Sequence, residues 1–409
     1  MSKIFQVALG ILAAIGGFVD IGDIVFNVAA GATFGYQLIW VVAIGVVGII
    51  VYSEMCGRVA AVGKRAVFDA IRERMGFGVG LGALIASEIV NFMTLAAEVG
   101  GIAIALQLLS GLPYRSLILL AAVALALVVW VTPFEWIERV FGYGGLCLLV
   151  FAVAALKLHP NWGGFGHGWV PHVPESGNLL VYGYFVVGLL GAAMTPYEVY
   201  FYSSGGIEER WTPADLGLNR ANSIIGYGLG GFLSIALMIV SAELFLPEGV
   251  DPATLGTVAL GAEIPLGAAG LLLALVGILF AVGGAAIDTC LAGAYNLAQF
   301  FGWEWGKYRR PRDAPRFTIS WAVLLALAMG VIMSGIDAVM LTEFAVIFSV
   351  VALPLTYIPI LLVANDKIYM GRYANGRLAN VLGLIYLVII LFVSLTAIPF
   401  MILSNLGQG

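Results

Sequence analysis

Charged residues are scarce in this sequence. They make up only 11% of its 409 residues, whereas hydrophobic residues make up 61%. Soluble globular domains contain about 25% charged residues, so the composition excludes a soluble enzyme with a single anchor. It indicates a polytopic membrane protein. The 53 glycines agree with this, since small residues let helices pack closely within a bilayer.

Cysteine and histidine are also rare, with three of each. Cys56, Cys147 and Cys290 lie inside apolar runs, which predicts buried small side chains rather than a disulfide framework or a metal site. The histidines all fall in the connection 158–178, at spacings that match no ligand pattern. The sequence also lacks a phosphate-binding glycine loop, a nucleotide motif, a basic nucleic-acid patch and a catalytic constellation. We therefore expect no enzyme, no cofactor, and neither nucleotide nor nucleic acid as a partner.

Long apolar runs, by contrast, fill the chain. A membrane-spanning helix needs roughly 20 apolar residues, and the sequence contains eleven such segments. The first of them reads as a membrane span and not as a cleavable signal peptide, because its apolar run continues to residue 31. They run near residues 4–31, 36–57, 79–109, 115–133, 139–158, 178–205, 222–246, 265–301, 317–335, 338–364 and 380–404.

The distribution of Lys and Arg predicts the orientation of these spans. With the N-terminus in the cytoplasm, all but Arg115 and Lys157 of the 19 basic residues lie on the cytoplasmic side. Cytoplasmic loops carry such an excess of basic residues. We expect a monomer in a prokaryotic inner membrane, surrounded by lipid, with the N-terminus inside and the C-terminus outside.

Two spans contain interruptions at mid-membrane. The first is predicted to break at Asp20-Ile21-Gly22-Asp23, and the sixth within 191–202, where Pro196 removes a backbone donor and Glu198 adds a carboxylate. Paired interruptions in corresponding spans are typical of a transporter's substrate site. Spans one and six are five apart, which predicts two five-helix repeats of inverted topology, 1–160 and 178–364, followed by an additional helix at 380–404.

The interruptions carry chemistry suited to a cation. Unwound backbone offers carbonyl oxygens, and Asp20, Asp23 and Glu198 add up to three carboxylates that could not all stay ionised in an apolar medium without a cation. An anionic substrate or an amino-acid carboxylate would be repelled. The alternative interpretation is that an Asp beside a helix break only caps the following half-helix. Capping explains one carboxylate more readily than three.

These segments resemble the NRAMP family of proton-coupled Mn²⁺/Fe²⁺ transporters. "FVDIGDIVFNVAAGATFGYQLIW" is similar to that family's first span, and "GLLGAAMTPYEVYFYSS" to its sixth. "AAEVGGIAIALQLLSGLP", "TCLAGAYNLAQF" and "LPLTYIPILL" are similar to its third, eighth and tenth spans. The resemblance runs through nearly the whole chain in order. It implies an all-α LeuT-like fold of five plus five helices, with helices one and six broken and an eleventh helix appended.

The resemblance also assigns the candidate ligands, and several depart from the family pattern. Asp20 stands at the metal-binding Asp, Asp23 replaces an Asn, and Thr195 replaces the Met whose thioether contacts the metal. Ala192 keeps a position whose backbone carbonyl can be a ligand, and Glu198 replaces an Asn. These five residues are the metal ligands that the resemblance implies.

Further departures concern the proton route. Tyr197 replaces the His after the proline, Leu95 replaces an Asp of the third span, and Val346 aligns with a Gln of the tenth, while Glu98 matches the family's Glu. Glu98, Tyr197 and Asp288 are candidates for the ion pathway, since ionisable groups within a membrane are usually functional. An inter-helix hydrogen bond is the alternative for the third-span residues Glu88, Asn91 and Glu98. Glu54 is predicted to pair with Arg58 at i+4 instead.

Together these changes favour a harder cation. Carboxylate and carbonyl oxygens suit Mg²⁺ and Mn²⁺, whereas thioether sulfur favours softer metals, and the pattern resembles the magnesium-transporting branch related to NRAMP. The sequence therefore predicts a secondary transporter that takes up Mg²⁺, tolerates Mn²⁺ and does not couple to protons. The alternatives are a standard proton-coupled Mn²⁺/Fe²⁺ transporter and a non-transporting membrane sensor on the same fold.

Overall fold

The protein is entirely helical throughout the part that the structure, a computed structural model, describes: residues 18–173, 178–252 and 254–408. Most helices begin where a proline, an Asx or Thr cap or a glycine sets an extended residue before an apolar run. The α-helices, in chain order, are α1 (Ile21–Phe34), α2 (Ile39–Arg58), α3 (Val67–Ser110), α4 (Tyr114–Val131), α5 (Phe134–Gly145), α6 (Leu149–Lys157), α7 (Trp162–His167), α8 (Leu179–Ala193), α9 (Pro196–Glu208), α10 (Leu216–Ala221), α11 (Tyr227–Leu244), α12 (Leu255–Leu266), α13 (Ala268–Phe301), α14 (Pro315–Met333), α15 (Ala338–Asn365), α16 (Lys367–Met370) and α17 (Arg377–Leu403).

The predicted membrane spans agree with these helices. Ten helical segments of the described residues are long and apolar enough to cross a bilayer, and they correspond to the second through eleventh predicted spans. The first predicted span, 4–31, begins outside the described residues, and its second half is the shorter apolar helix α1. The membrane-spanning, all-helical prediction is confirmed.

Some boundaries differ from the prediction for identifiable reasons. The predicted eighth span, 265–301, is divided at Gly267, whose φ of +71° ends α12 before α13 begins. Helix α3 starts at Val67, well before the predicted residue 79, and bends at Gly76, where φ is +79°. Glycine tolerates this left-handed backbone at little cost. α12 itself was not predicted, because its apolar run merges with that of the next span.

Helices from the two halves of the chain pack against each other, as expected of an inverted repeat. α1, the second half of span one, packs along α11 of span seven, and α9, the second half of span six, packs along α2 of span two. Spans three and eight, the equivalent pair α3 and α13, pack on each other through the centre. At Gly31 the α1 backbone lies so close to α11 that an added β-carbon would sit 2.4 Å from the carbonyl oxygen of Met238. α1 also packs along α8, the first half of span six, so the two interrupted helices lie side by side.

Candidate metal centre

The first interruption lies at Val19-Asp20, directly before α1. Asp20 is extended, with φ −85° and ψ −177°, and its Oδ1 accepts a hydrogen bond of 2.7 Å from the backbone N–H of Asp23. Gly22 and Asp23 therefore belong to the first helical turn, and the break is shorter than the predicted segment 20–23. The reason is that Asp20 caps the helix and lets it begin at once.

Capping occupies only one oxygen of Asp20. The hydroxyl of Tyr197, in the first turn of α9, donates to Asp20 Oδ2 over 3.1 Å. The Asp20 carboxylate is thus turned toward the second interruption, and its side chain is only 2% exposed. Asp20 Oδ1 therefore caps α1, as the alternative interpretation expected, while Oδ2 faces the candidate site.

The second interruption lies at Met194 and Thr195, between α8 and α9. Pro196 opens α9 at a position where a backbone N–H would have no intrahelical partner. The same proline deprives the carbonyl of Ala192, four residues earlier, of its helical donor. The Ala192 carbonyl is therefore free to face a ligand, and the residue is fully buried. The break predicted within 191–202 is confirmed.

Sulfur is directed away from this break. A β-carbon built on Gly48 of α2 would lie 2.6 Å from Met194 Sδ and 2.9 Å from a ring carbon of Tyr386 in α17, so the thioether packs between those helices. The Met194 carbonyl accepts from the Tyr357 hydroxyl over 3.1 Å. At Thr195 the buried hydroxyl lies beside the Glu198 carboxylate without forming a hydrogen bond of good geometry. Of the two side chains at the break, Thr195 therefore offers an oxygen, while the Met194 sulfur packs between α2 and α17.

Glu198 is a buried carboxylate that a cation would stabilise. It lies in the first turn of α9 and is 5% exposed, and among the described residues neither of its carboxylate oxygens has a hydrogen-bond partner. Asp20, Asp288 and Asp23 are near enough for their charges to repel it. A buried carboxylate without donors is costly, and a divalent cation would relieve both the repulsion and the missing partners.

Asp23 is held differently from Asp20 and Glu198. Its Oδ2 accepts from the Ser234 hydroxyl of α11 over 2.6 Å, and its Oδ1 accepts from Asn27 Nδ2 over 2.8 Å. Both oxygens thus have a donor already. Ser234 and Asn27 were missed by sequence reasoning. Asn27 carried a signal, since it lies four residues after Asp23 on the same helix face, whereas Ser234 comes from a distant span.

Glu98 and Asp288 border the same region from α3 and α13. Glu98 is fully buried, and its Oε1 accepts a long hydrogen bond of 3.4 Å from Thr289, while its Oε2 has no partner in the part of the chain that the structure describes. Its charge is repelled by Asp20, Asp288 and Glu198. Across the described residues, no three His, Cys, Asp or Glu side chains come close enough together to hold one ion. An ion here would combine carboxylate with carbonyl and hydroxyl oxygens.

The wall opposite α1 is apolar. A β-carbon on Gly22 would lie 2.8 Å from Val346 Cγ2 and 3.1 Å from Asp20 Oδ1. Val346 of α15 therefore lies beside Gly22 at the candidate site. Gly22 is present because a side chain would push into both neighbours.

Glu54, the cysteines and the histidines were predicted to lie outside the ion site. Glu54 pairs with Arg58 over 3.0 Å, as the i+4 spacing predicted. Cys56, Cys147 and Cys290 are free thiols, two of them buried. His159, His167 and His172 are exposed, and the ring Nδ1 of His172 lies 2.8 Å from the Val170 carbonyl.

Known proteins share this chain's sequence and fold. The family model Nramp, described as "Natural resistance-associated macrophage protein-like", matches residues 10–399. A divalent metal cation transporter MntH of Burkholderia ambifaria is 28% identical over 376 residues, which are 88% of this chain and 80% of the relative. The MntH of Aeromonas hydrophila is 27% identical over 94% of this chain and 93% of its own length.

Solved structures agree on the fold. A variant of the Eremococcus coleocola manganese transporter superposes with a TM-score of 0.77 at 19% identity, covering 99% of this chain and 88% of that one. The nucleobase–cation symporter MHP1 superposes with a TM-score of 0.62 at 16% identity over 98% and 92%. The five-plus-five helix arrangement expected from the sequence is confirmed.

Proposed function

Since this chain belongs to the Nramp family of multi-pass membrane transporters for divalent metal cations, we propose that it carries Mg²⁺, tolerates Mn²⁺, and moves the ion without protons. The metal is the transported substrate, and the chain is not an enzyme. The observation that carries the proposal is the arrangement at the break in span six: the buried Thr195 hydroxyl lies beside the Glu198 carboxylate, while the Met194 sulfur packs against α2.

The proposed ligands are oxygen atoms from both interruptions. Asp20 and the Ala192 carbonyl would contact the ion directly, with the Thr195 hydroxyl beside them. Glu198 would hold one of the ion's waters, and Asp23 would act mainly through its charge, since Asn27 and Ser234 already occupy its oxygens. Mg²⁺ gives up its waters reluctantly and usually keeps several, so a site with few direct ligands and further buried acceptors suits it.

The absence of proton coupling is the second part of the proposal. Tyr197, which replaces the family's His, donates its hydroxyl to Asp20, and Leu95, which replaces an Asp, is buried among apolar side chains. Neither titrates near neutral pH. The name of the Eremococcus coleocola manganese transporter favours Mn²⁺ as the ion. In the alternative, a proton-coupled Mn²⁺ carrier, Glu98 or Asp288 would transfer the proton.

We further propose that the N-terminus is cytoplasmic and the C-terminus outside. The bias of Lys and Arg toward one side supports this orientation. The working unit is proposed to be the monomer, since one chain supplies every residue of the candidate site.

Proteoliposomes test the coupling directly. Vesicles holding a pH-sensitive dye, with an inside-negative potential, should take up Mg²⁺ while the dye signal stays flat. The control is the same preparation with Asp20→Asn, which should show neither signal. Acidification of the vesicle interior that depends on Mg²⁺ or Mn²⁺ addition, and is lost in Asp20→Asn, would establish the proton-coupled alternative.

Replacing Glu198 tests its proposed contact through water. Glu198→Gln keeps the shape and one acceptor oxygen but removes the charge, so we expect Mg²⁺ uptake to fall roughly tenfold, within the range for groups that act behind the direct ligands. Glu54→Gln changes a carboxylate near the C-terminal end of α2 that pairs with Arg58, so it is the matched control and should transport normally. Unchanged uptake by Glu198→Gln would remove Glu198 from the ion's surroundings.

A further inference from the structure

An apolar groove lies apart from the candidate metal centre, since none of its lining residues belongs to that centre. It has a volume of about 480 Å³ and lies between α2, α6 and α11. Along α11 it extends from Gly228 to Ile239, about 16 Å at ~1.5 Å per residue. Its walls are almost wholly hydrocarbon, so a ligand with polar groups along its length would leave them without partners.

The groove has a roof at one end. Trp162, Phe165 and Trp169 cover one end of the groove. They come from the connection 158–178, which the predicted orientation places outside. The rings of Trp162 and Phe165 contact each other edge to face, as do those of Phe165 and Trp169. Both indoles remain half exposed. Tryptophan favours the level of the lipid headgroups, which places the groove below it at the level of the acyl chains.

A basic residue directly follows the groove lining on α6. Lys157 ends α6 directly after the lining residue Leu156, and its side chain is exposed. It is one of only two basic residues that the charge distribution places on this side of the membrane. A cation at headgroup level beside an apolar cleft matches the phosphate of a phospholipid whose chain runs down from it.

We propose that this groove is a binding site for one phospholipid, with an acyl chain lying along α11 between α2 and α6 and its phosphate beside Lys157. The apolar groove and the neighbouring Lys157 together call for a ligand with both a hydrocarbon chain and a phosphate. An apolar molecule without a phosphate would leave Lys157 unused, and a free phosphate would leave the groove empty.

Gly228 provides a selective way to fill the groove. A β-carbon there would meet none of the described residues within 4 Å, so a larger side chain enters the groove. Gly330 on α14 is equally open and far from the groove in the fold, which makes Gly330→Phe a matched control. Gly228→Ala separates the loss of glycine from the filling of the groove.

Native mass spectrometry of the full chain, released from micelles containing palmitoyl-oleoyl phosphatidylglycerol, tests the site. The unmodified chain, Gly228→Ala and Gly330→Phe should each retain one lipid. Gly228→Phe should retain at least about tenfold less, the loss expected when about two methylene groups leave an apolar site. Lys157→Gln should weaken retention of the phospholipid but not of a diacylglycerol with the same chains.

Three results would overturn the proposal. Equal lipid retention by Gly228→Phe and Gly330→Phe would place the lipid elsewhere. Equal retention of phospholipid and diacylglycerol by the unmodified chain would show that the phosphate is not recognised. A mass of two chains that Gly228→Phe abolishes would make the groove a contact between copies of this protein. Size-exclusion profiles that match among the variants verify that each is folded.

Discussion

Mg²⁺ uptake should fall at least about 100-fold in Asp20→Asn, beyond the loss usually caused by changing a group behind the metal ligands. The substitution keeps the shape of the side chain. Its amide oxygen can still accept from the Asp23 N–H, which caps α1 at 2.7 Å, and Asn is as good a capping residue as Asp. The fold should therefore survive while the charge facing the break in span six is lost.

The measurement is uptake of Mg²⁺ into proteoliposomes containing a trapped indicator, with the amount of reconstituted protein matched. Asp23→Asn is the informative comparison, because Asn27 and Ser234 already donate to the Asp23 oxygens. We expect it to lower uptake less than Asp20→Asn does. If Asp20→Asn transports normally, the oxygen of Asp20 that faces Tyr197 does not contact the ion, and Asp20 only caps the helix.

Thr195→Met should change which metals the protein accepts. A thioether at the break would supply a soft ligand and occupy space otherwise available to water, so Mg²⁺ uptake should fall and Cd²⁺ should compete more strongly. The change should be partial, because the carboxylates of Glu198 and Asp23 remain. A roughly tenfold shift in the Cd²⁺ concentration that halves Mg²⁺ uptake is expected, about 1.4 kcal/mol of altered preference.

The control for this substitution is Met194→Leu. It removes the natural sulfur next to the break, but that sulfur packs against Gly48 and Tyr386, so Leu should leave the Cd²⁺ inhibition curve where it was. Coincident inhibition curves for Thr195→Met and the unmodified chain, with unchanged Mg²⁺ uptake, would show that residue 195 does not face the ion.

The sequence predicted the architecture well because its determinants are local. Span lengths follow from apolar runs, and the sixth-span break follows from Pro196, which cannot donate to Ala192. The pairing of the two breaks followed from counting spans, since spans one and six are five apart, and the resemblance to a family agreed with it. The exact start of α1 was less accessible, because whether Asp20 caps a helix or extends a loop depends on where its carboxylate finds donors.

The parts of the site that were missed depend on tertiary contacts. Ser234 reaches Asp23 from a span that carries no sign of it in the sequence, since a single Ser in an apolar helix is unremarkable. The direction of the Met194 sulfur is also set by Gly48 on another helix. Likewise, α12 could not be separated from the following span without knowing that Gly267 adopts a positive φ.

Competition among metals in one preparation tests the central claim, that hard oxygen ligands select the ion, most directly. Proteoliposomes would be given equal concentrations of Mg²⁺, Mn²⁺ and Cd²⁺, then washed and analysed by mass spectrometry for each element, with Asp20→Asn vesicles as background. We predict that Mg²⁺ and Mn²⁺ accumulate above background and Cd²⁺ does not. Accumulation of Mn²⁺ and Cd²⁺ with Mg²⁺ at background would contradict the claim.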